Sequence, residues 1–129
     1  MALEFITSEK IKTPHAFSTR LGGVSEGYLA SLNLGHTRGD EPARVLENWR
    51  RFGAAVGIAT EKFVYGLQEH GNNVRVVGPA DCKASFDPEK WEPADGYVTN
   101  IPGVPLVIFT ADCVPVLMHD PVAGVIAAL

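Results

Sequence analysis

The stretch VPLVIFTADCVPVLM, residues 104–118, combines an apolar run with residues that are able to do chemistry. Branched and aromatic side chains fill positions 106–109, an enrichment that favours a buried β-strand. The tetrad Thr-Ala-Asp-Cys at 110–113 follows this strand directly, and a second strand is predicted over 114–118. A cysteine beside an acid at a strand end lies where its side chain can project into a cleft. The stretch therefore predicts both a sheet and a candidate site at its edge.

The flanking sequence predicts further strands separated by turns. Strands are expected over residues 3–11, 15–20, 63–67, 74–77, 96–99, 104–110 and 122–129. Glycine and proline punctuate the chain, with turn signals at 21–24 and 100–103 and a tight connection at 71–72. Residues 31–39 are expected to form a loop with a short extended piece, and residues 78–93 a surface loop that includes Cys82.

One amphipathic helix of about four turns is predicted after residue 40. Asp40 is the expected N-cap and Pro42 suits the first turn. Apolar residues recur at positions 45, 49, 52 and 56, and Gly57 is expected to end the helix. Many strands with one long helix indicate an α+β fold with mixed β-sheets.

Composition narrows the function classes. The chain has 129 residues, a net charge of −4 and 46% hydrophobic residues, which predicts a single globular domain over residues 1–129. The sequence contains no block of basic residues that would indicate a nucleic-acid partner. It also contains no apolar stretch close to the roughly 20 residues that span a membrane. Charges within the first dozen residues argue against a secretion signal, and the two cysteines cannot form a disulfide framework. We expect a cytoplasmic protein with neither nucleic-acid nor membrane partners.

Three residues are the main candidates for chemistry. Cys113 follows the apolar strand, although a free cysteine is also often a small buried hydrophobe. His70 follows residues 63–67 and suits metal binding or acid/base work, while an ordinary loop histidine is the alternative. Thiolate and imidazole together suit zinc or copper, but the two are remote along the chain and no local ligand spacing supports the pair. Arg20, beside a Gly-Gly turn, suits a phosphate or carboxylate, with a solvated arginine as the alternative.

The remaining candidates are weaker. Asp95 is either a turn-former or a residue that points into a site, and Cys82 is expected to be a bystander. The other three histidines are isolated in the sequence: His15, His36 and His119.

Six segments occur in one order and together resemble a known family. They are residues 15–25 (HAFSTRLGGVS), 31–35 (SLNLG), 39–40 (GD), 68–71 (QEHG), 94–99 (ADGYVT) and 110–116 (TADCVPV). The chain resembles the laccase-domain (YfiH-like) family, also labelled polyphenol oxidoreductase and now interpreted mainly as purine nucleoside phosphorylases. The resemblance covers residues 15–129 and implies a layered α/β/β fold. Two departures are Glu69, where many members have an apolar residue, and Trp49, where an arginine is common.

The resemblance also implies a metal site of His, Cys and His. His70 and Cys113 would be two of its ligands and catalytic residues, with zinc the expected metal and copper the alternative. The family's third ligand lies in a His-Ala-Gly-Trp-Arg-Gly motif that would start just after Leu129. The sequence ends inside an apolar strand, whereas termini usually end in polar residues, so we expect a truncated copy of the domain.

For a complete family member, the resemblance implies phosphorolysis of adenosine and inosine. Adenosine deamination and methylthioadenosine phosphorolysis are implied side activities, and Arg20 is the candidate phosphate ligand. A copper-dependent polyphenol oxidase ranks lower, because the chain has only four histidines. The alternative of another class is a catalytically inactive fragment or interaction module, since catalytic zinc usually has three protein ligands. An unpaired strand edge would also favour self-association.

Overall fold

The computed structural model describes residues 2–83 and 91–129. The chain divides into two compact units, Met1–Thr60 and Glu61–Leu129. The single domain predicted over residues 1–129 stays a prediction. No helix among the described residues has both the length and the apolar character needed to cross a membrane.

In the first unit, two short strands pair antiparallel. They are β1 (Phe5–Ile6) and β2 (Phe17–Ser18), which lie within the predicted strands 3–11 and 15–20 but are much shorter. The difference arises because the intervening chain folds on itself: the N–H of Ser8 donates to the imidazole Nε2 of His15 at 2.8 Å. Residues 31–39 form a loop without a strand, and a 3₁₀ turn, Gly27–Leu29, precedes it.

The predicted helix is confirmed as α1 (Pro42–Val56), the one α-helix in the described chain. Gly57 ends it in the left-handed conformation, with its N–H on the Gly53 carbonyl at 2.8 Å. The prediction of Asp40 as N-cap is wrong, because Glu41 holds that position. The Asp40 carboxylate instead accepts hydrogen bonds from the Ser25 hydroxyl and the Asn33 amide.

Asn48 is the central polar residue of the first unit. Its side chain is fully buried on α1 and makes three hydrogen bonds of 2.8 Å. The amide oxygen accepts from the Val24 N–H, while the amide nitrogen donates to the Ser25 hydroxyl and the Asn33 carbonyl. A buried amide with all these bonds made fixes the surrounding loops on the helix, because each alternative arrangement leaves a buried polar group unpaired.

The second unit contains a four-stranded mixed sheet. Its strands are β3 (Val74–Val76), β4 (Gly96–Thr99), β5 (Leu117–Asp120) and β6 (Val125–Ala128), in the order β3-β4-β6-β5. β3 and β4 run parallel, whereas the other neighbours are antiparallel. The α+β fold with a mixed sheet is thus confirmed. The tight connection predicted at 71–72 does not produce a hairpin, because β3 pairs with β4.

Residues 63–67 and 104–110, predicted as strands, are extended but pair only at isolated positions. Val64 bridges Leu106 and Leu67 bridges Pro93, both in parallel, while Phe63 bridges Lys83 antiparallel. Regular ladders do not develop, because side chains accept from the backbone N–H groups that would continue them. The Asp95 carboxylate accepts from the Glu69 N–H, and the Gln68 amide oxygen accepts from the Phe109 N–H. Pro105 also has no N–H to donate. The predicted surface loop 78–93 includes a 3₁₀ turn, Pro79–Asp81, and its residues 84–90 lie outside the described residues.

The core of the second unit holds these pieces together. It contains Val64, Val77, Ala94, Tyr97 and Val104, and Cys82 packs against it. Burial raises the pKa of the Cys82 thiol, which favours its protonated form. Cys82 is therefore part of the packing rather than of an exposed polar loop.

We predict that Asn48→Ala lowers the free energy of unfolding by about 2–4 kcal/mol, because it leaves several buried groups without a partner. Urea unfolding followed by the helical circular dichroism signal reports on α1. Leu46→Ala, at a side chain that is 59% exposed on the same helix, is the control and should change stability by less than about 0.5 kcal/mol. Equal effects of the two substitutions would contradict the central role of Asn48.

A second prediction concerns Tyr97, whose buried hydroxyl has no hydrogen-bond partner among the described residues. Burial raises its pKa to about 12 from 10.0. Above pH 10 the unfolded chain loses the phenolic proton while the folded chain retains it, so this residue costs stability as pH rises from 10 to 12. Tyr97→Phe should be at least as stable as the parent at pH 8, and its advantage should grow over that pH range. A constant difference in unfolding free energy would contradict the prediction.

Candidate functional site

Parallel pairing brings the ends of three extended segments to one edge of the second unit. Val64 pairs in parallel with Leu106, and Leu67 pairs in parallel with Pro93. Segments that run in the same direction have their carboxyl ends at the same edge, which is where open sheets commonly bind ligands. The residues that follow the three segments, His70, Asp95 and Cys113, are therefore expected at that edge.

The Gln68 side chain links the His70 segment to the Cys113 segment. Its amide oxygen accepts from the Phe109 N–H at 2.8 Å, and its amide nitrogen donates to the Phe109 carbonyl at 2.7 Å. One side chain thereby replaces a pair of backbone hydrogen bonds between two segments that are remote in sequence. Because both bonds reach the same residue, they set the register of the two segments at the point where each leaves the paired region.

His70 and Cys113 both line one cavity of about 150 Å³. The other lining residues include the polar Gln68, Asp95 and Thr110 and the apolar Ile108, Val114 and Leu129. Pockets for complete small-molecule ligands usually measure roughly 300–1,000 Å³. This cavity is therefore large enough for an ion and a small reacting group, but too small to enclose a nucleoside.

The two candidate side chains are accessible. Cys113 is exposed in this structure, whereas Cys82 is half-buried. His70 is exposed as well, and it has a left-handed backbone with φ of 59°, the one such non-glycine residue among those described. An L-residue adopts this conformation at an energetic cost, which local hydrogen bonds must offset.

Asp95 supplies such hydrogen bonds. Its carboxylate accepts from the backbone N–H of Glu69 at 2.8 Å. This bond is the largest cause that holds the pKa of Asp95 below its usual value; partial burial opposes it, and the N–H groups of Gly71, Asn73 and His70 add to it. The sequence did not decide whether Asp95 forms a turn or points into a site. In the structure, its carboxylate bonds to the turn and also lines the cavity.

The donor set suits a soft or borderline metal ion only in part. Neutral imidazole and thiolate are ligands of zinc and copper. Within residues 2–83 and 91–129, no group of three or more His, Cys, Asp or Glu side chains is placed to hold a metal. His70 and Cys113 thus have the chemistry of two such donors, one fewer than the three protein ligands usual for a catalytic zinc.

The other sequence candidates are not among the residues that line the cavity. Arg20 belongs to the first unit, where its Nε and Nη2 donate to the Ala30 carbonyl at 3.0 and 2.7 Å. Its predicted role with phosphate stays a prediction. None of the remaining histidines lines the cavity: His15 bonds to Ser8 and Thr13, burial lowers the pKa of His36, and His119 lies in β5.

Gln68 is the structural residue that sequence reasoning missed. The sequence could have pointed to Gln68 only through its position two residues before His70 in the QEHG segment. Its hydrogen-bond partner, Phe109, is brought to it only by the fold. An amide that pairs with a distant backbone group leaves no periodic pattern in the sequence.

Comparisons with known proteins agree with this architecture. Relatives named purine nucleoside phosphorylase occur in Deinococcus radiodurans, 46% identical over 126 residues, and in Corynebacterium glutamicum, 43% identical over 113 residues. These alignments cover 98% and 88% of this chain but 46% and 44% of the relatives, so the chain spans about half the length of the relatives it matches.

Solved structures give the same picture. YlmD from Geobacillus stearothermophilus matches with a TM-score of 0.79 at 33% identity, and Bacillus licheniformis YfiH matches with 0.79 at 31%. Each alignment covers 88% of this chain and 43% of the solved chain. Residues 14–129 also match the family described as multi-copper polyphenol oxidoreductase laccase. The chain therefore belongs to this laccase-domain family, as its six sequence segments indicated.

Proposed function

We propose that the cavity lined by His70 and Cys113 is the metal-binding part of a purine nucleoside phosphorylase site. The observation that carries the proposal is the convergence of an exposed imidazole and an exposed thiol on one cavity from remote parts of the chain. The names of relatives at 43–46% identity supply the reaction class. The substrates are then a purine nucleoside and inorganic phosphate.

The proposed metal is zinc, with copper as the alternative. His70 would bind as the neutral imidazole and Cys113 as the thiolate, so binding releases the thiol proton. A bound zinc ion would supply Lewis-acid polarisation of a phosphate or water oxygen. Gln68 and Asp95 contribute by fixing the segments that present the two donors. A third protein donor has to come from a residue that the described chain does not place at the cavity.

In the proposed reaction, a phosphate oxygen forms a bond to the anomeric carbon as the glycosidic C–N bond breaks and the purine leaves. Arg20 is our candidate for neutralising the charge of phosphate, since a guanidinium pairs well with phosphate oxygens. The cavity holds only the reacting groups, so the purine base would contact surface outside it. Adenosine deamination and methylthioadenosine phosphorolysis are proposed side activities.

A copper-dependent polyphenol oxidase is the second candidate, and the description of the matched family favours it. Multi-copper oxidation needs several histidine-rich sites, whereas this chain has four histidines, of which one lines the cavity. The candidate of another class is a non-catalytic module that uses the same fold. We propose a cytoplasmic enzyme with small-molecule substrates, and self-association of this chain through unpaired strand edges.

The test joins this chain to the part of the D. radiodurans relative that lies outside the alignment. We expect the chimera, purified with zinc in metal-defined buffer, to release hypoxanthine from inosine only when phosphate is present. Cys113→Ser and His70→Ala should each lower kcat/KM by at least about 100-fold and reduce bound zinc, because each removes a metal donor.

Cys82→Ser is the matched control, because it makes the same chemical change at a cysteine that does not line the cavity, and it should retain activity and zinc. Dye oxidation by a copper-loaded sample, measured in parallel, separates the oxidase hypothesis. A folded chimera that shows dye oxidation without phosphorolysis would exclude the proposed reaction, and one with neither activity would favour the non-catalytic module.

A further inference from the structure

We propose that Asp95 is a positioning residue for His70: its carboxylate anchors the backbone of residues 69–73, so that His70 keeps its left-handed conformation at the cavity. The inference deepens the proposed function and rests on His70 being a metal donor. Asp95 would act through His70, without touching metal or substrate.

The first support is the way in which the loop closes around Asp95. The Asp95 carboxylate accepts from the Glu69 N–H at 2.8 Å, while the Asp95 N–H donates to the Asn73 carbonyl at 2.8 Å. The Asn73 side chain then donates to the Pro93 carbonyl at 2.9 Å. The loop that contains His70 is thus attached on both sides to the segment that ends at Asp95.

The second support is the space left at Gly71. A Cβ built at this glycine would lie 3.0 Å from Oδ2 of Asp95, which is tighter than ordinary van der Waals contact. Gly71 has no positive φ, so its backbone conformation does not require glycine. A methyl group at position 71 would therefore require the Asp95 carboxylate to shift by a few tenths of an ångström.

The third support is the strained backbone of His70. Its φ of 59° is unfavourable for a residue with a Cβ, and such conformations persist where surrounding bonds enforce them. A carboxylate presents only acceptors to the N–H groups around it, and its charge strengthens each bond. An asparagine at position 95 would retain one acceptor but would place an NH₂ group against backbone donors. A side chain of the same size is therefore not sufficient to hold the loop; the second acceptor oxygen is needed as well.

If Asp95 only stabilised the turn, its hydrogen bonds would be explained, but its loss would not change the conformation or the metal affinity of His70. The distinguishing measurements are therefore made on His70 itself. The intraresidue HN–Hα NOE reports the backbone conformation, since a positive φ brings these two protons close together. Titration with Co²⁺ alone reports the donors, because a thiolate ligand gives a sulfur-to-cobalt charge-transfer band that Cys113→Ser should abolish.

In the 129-residue chain, we expect Asp95→Asn to weaken the strong His70 NOE and to lower the apparent Co²⁺ affinity by about 10–100-fold, the usual effect of losing a residue that orients a ligand. Asp112→Asn is the matched control, because it removes the same charge beside Cys113 at an exposed residue that does not line the cavity. It should leave both signals unchanged. Gly71→Ala displaces the Asp95 carboxylate but retains its charge, and it should reproduce the Asp95→Asn effect. It replaces Asp95→Asn in the experiment if the Asp95→Asn chain does not fold.

The outcomes separate the two proposals. A folded Asp95→Asn chain that retains the NOE and the parental Co²⁺ affinity overturns the positioning role and leaves the metal site standing. The same titration of the chimera, which supplies the remaining donor, decides on Cys113: a folded chimera without the charge-transfer band refutes Cys113 as a donor. The NOE in the 129-residue chain still decides whether Asp95 fixes the His70 backbone. Loss of the NOE with unchanged Co²⁺ affinity would also overturn the proposal, because the conformation of His70 would then be irrelevant to the donor.

Discussion

The parallel alignment of residues 63–67 with 104–107 is the constraint on which the candidate site depends. It is made by two backbone hydrogen bonds of 2.9 Å around Val64 and is extended by the two side-chain bonds from Gln68 to Phe109. Antiparallel pairing of the same segments would place the residues after them at opposite ends. Parallel pairing brings His70 and Cys113 to one cavity, although they are remote in sequence.

Next to these parallel segments, the polar side chains of Gln68 and Asp95 stabilise different parts of the candidate site. Gln68 joins the segments that precede His70 and Cys113. Asp95 bonds to the loop that contains His70 and leads to β3. His70 and Cys113, the proposed donors, are exposed, whereas Gln68 and Asp95 are half-buried. This arrangement suits a metal site, because ligands have to be accessible while the groups that orient them have to be fixed.

The first unit uses a buried amide in a comparable way. Asn48 on α1 holds the loops that contain Val24 and Asn33 through bonds of 2.8 Å. Hydrogen-bonded side chains in both units compensate for a small amount of regular strand, since β1 and β2 contain only two residues each. Frequent glycine and proline residues favour short strands. In this chain, specific side-chain hydrogen bonds therefore take the place of long strand ladders.

The sequence by itself determined the family, the α+β class, the helix α1 with its end at Gly57, and the strand β4. These features depend on local periodicity, helix termination and short motifs, which neighbouring residues define. It also suggested His70 and Cys113, though only their resemblance to a family linked them.

Only the tertiary structure decided which segments pair and in which direction. Two predicted strands pair only at isolated bridges, because side-chain acceptors on Asp95 and Gln68 take the next backbone N–H groups. Glu41, not Asp40, is the N-cap of α1, and the Asp40 carboxylate bonds mainly to Ser25 and Asn33. The links made by Gln68 and Asp95 were equally invisible in the sequence, because a side chain that bonds to a distant backbone group leaves no local pattern. Such contacts exist only once the chain has folded, and they bring the candidate site together.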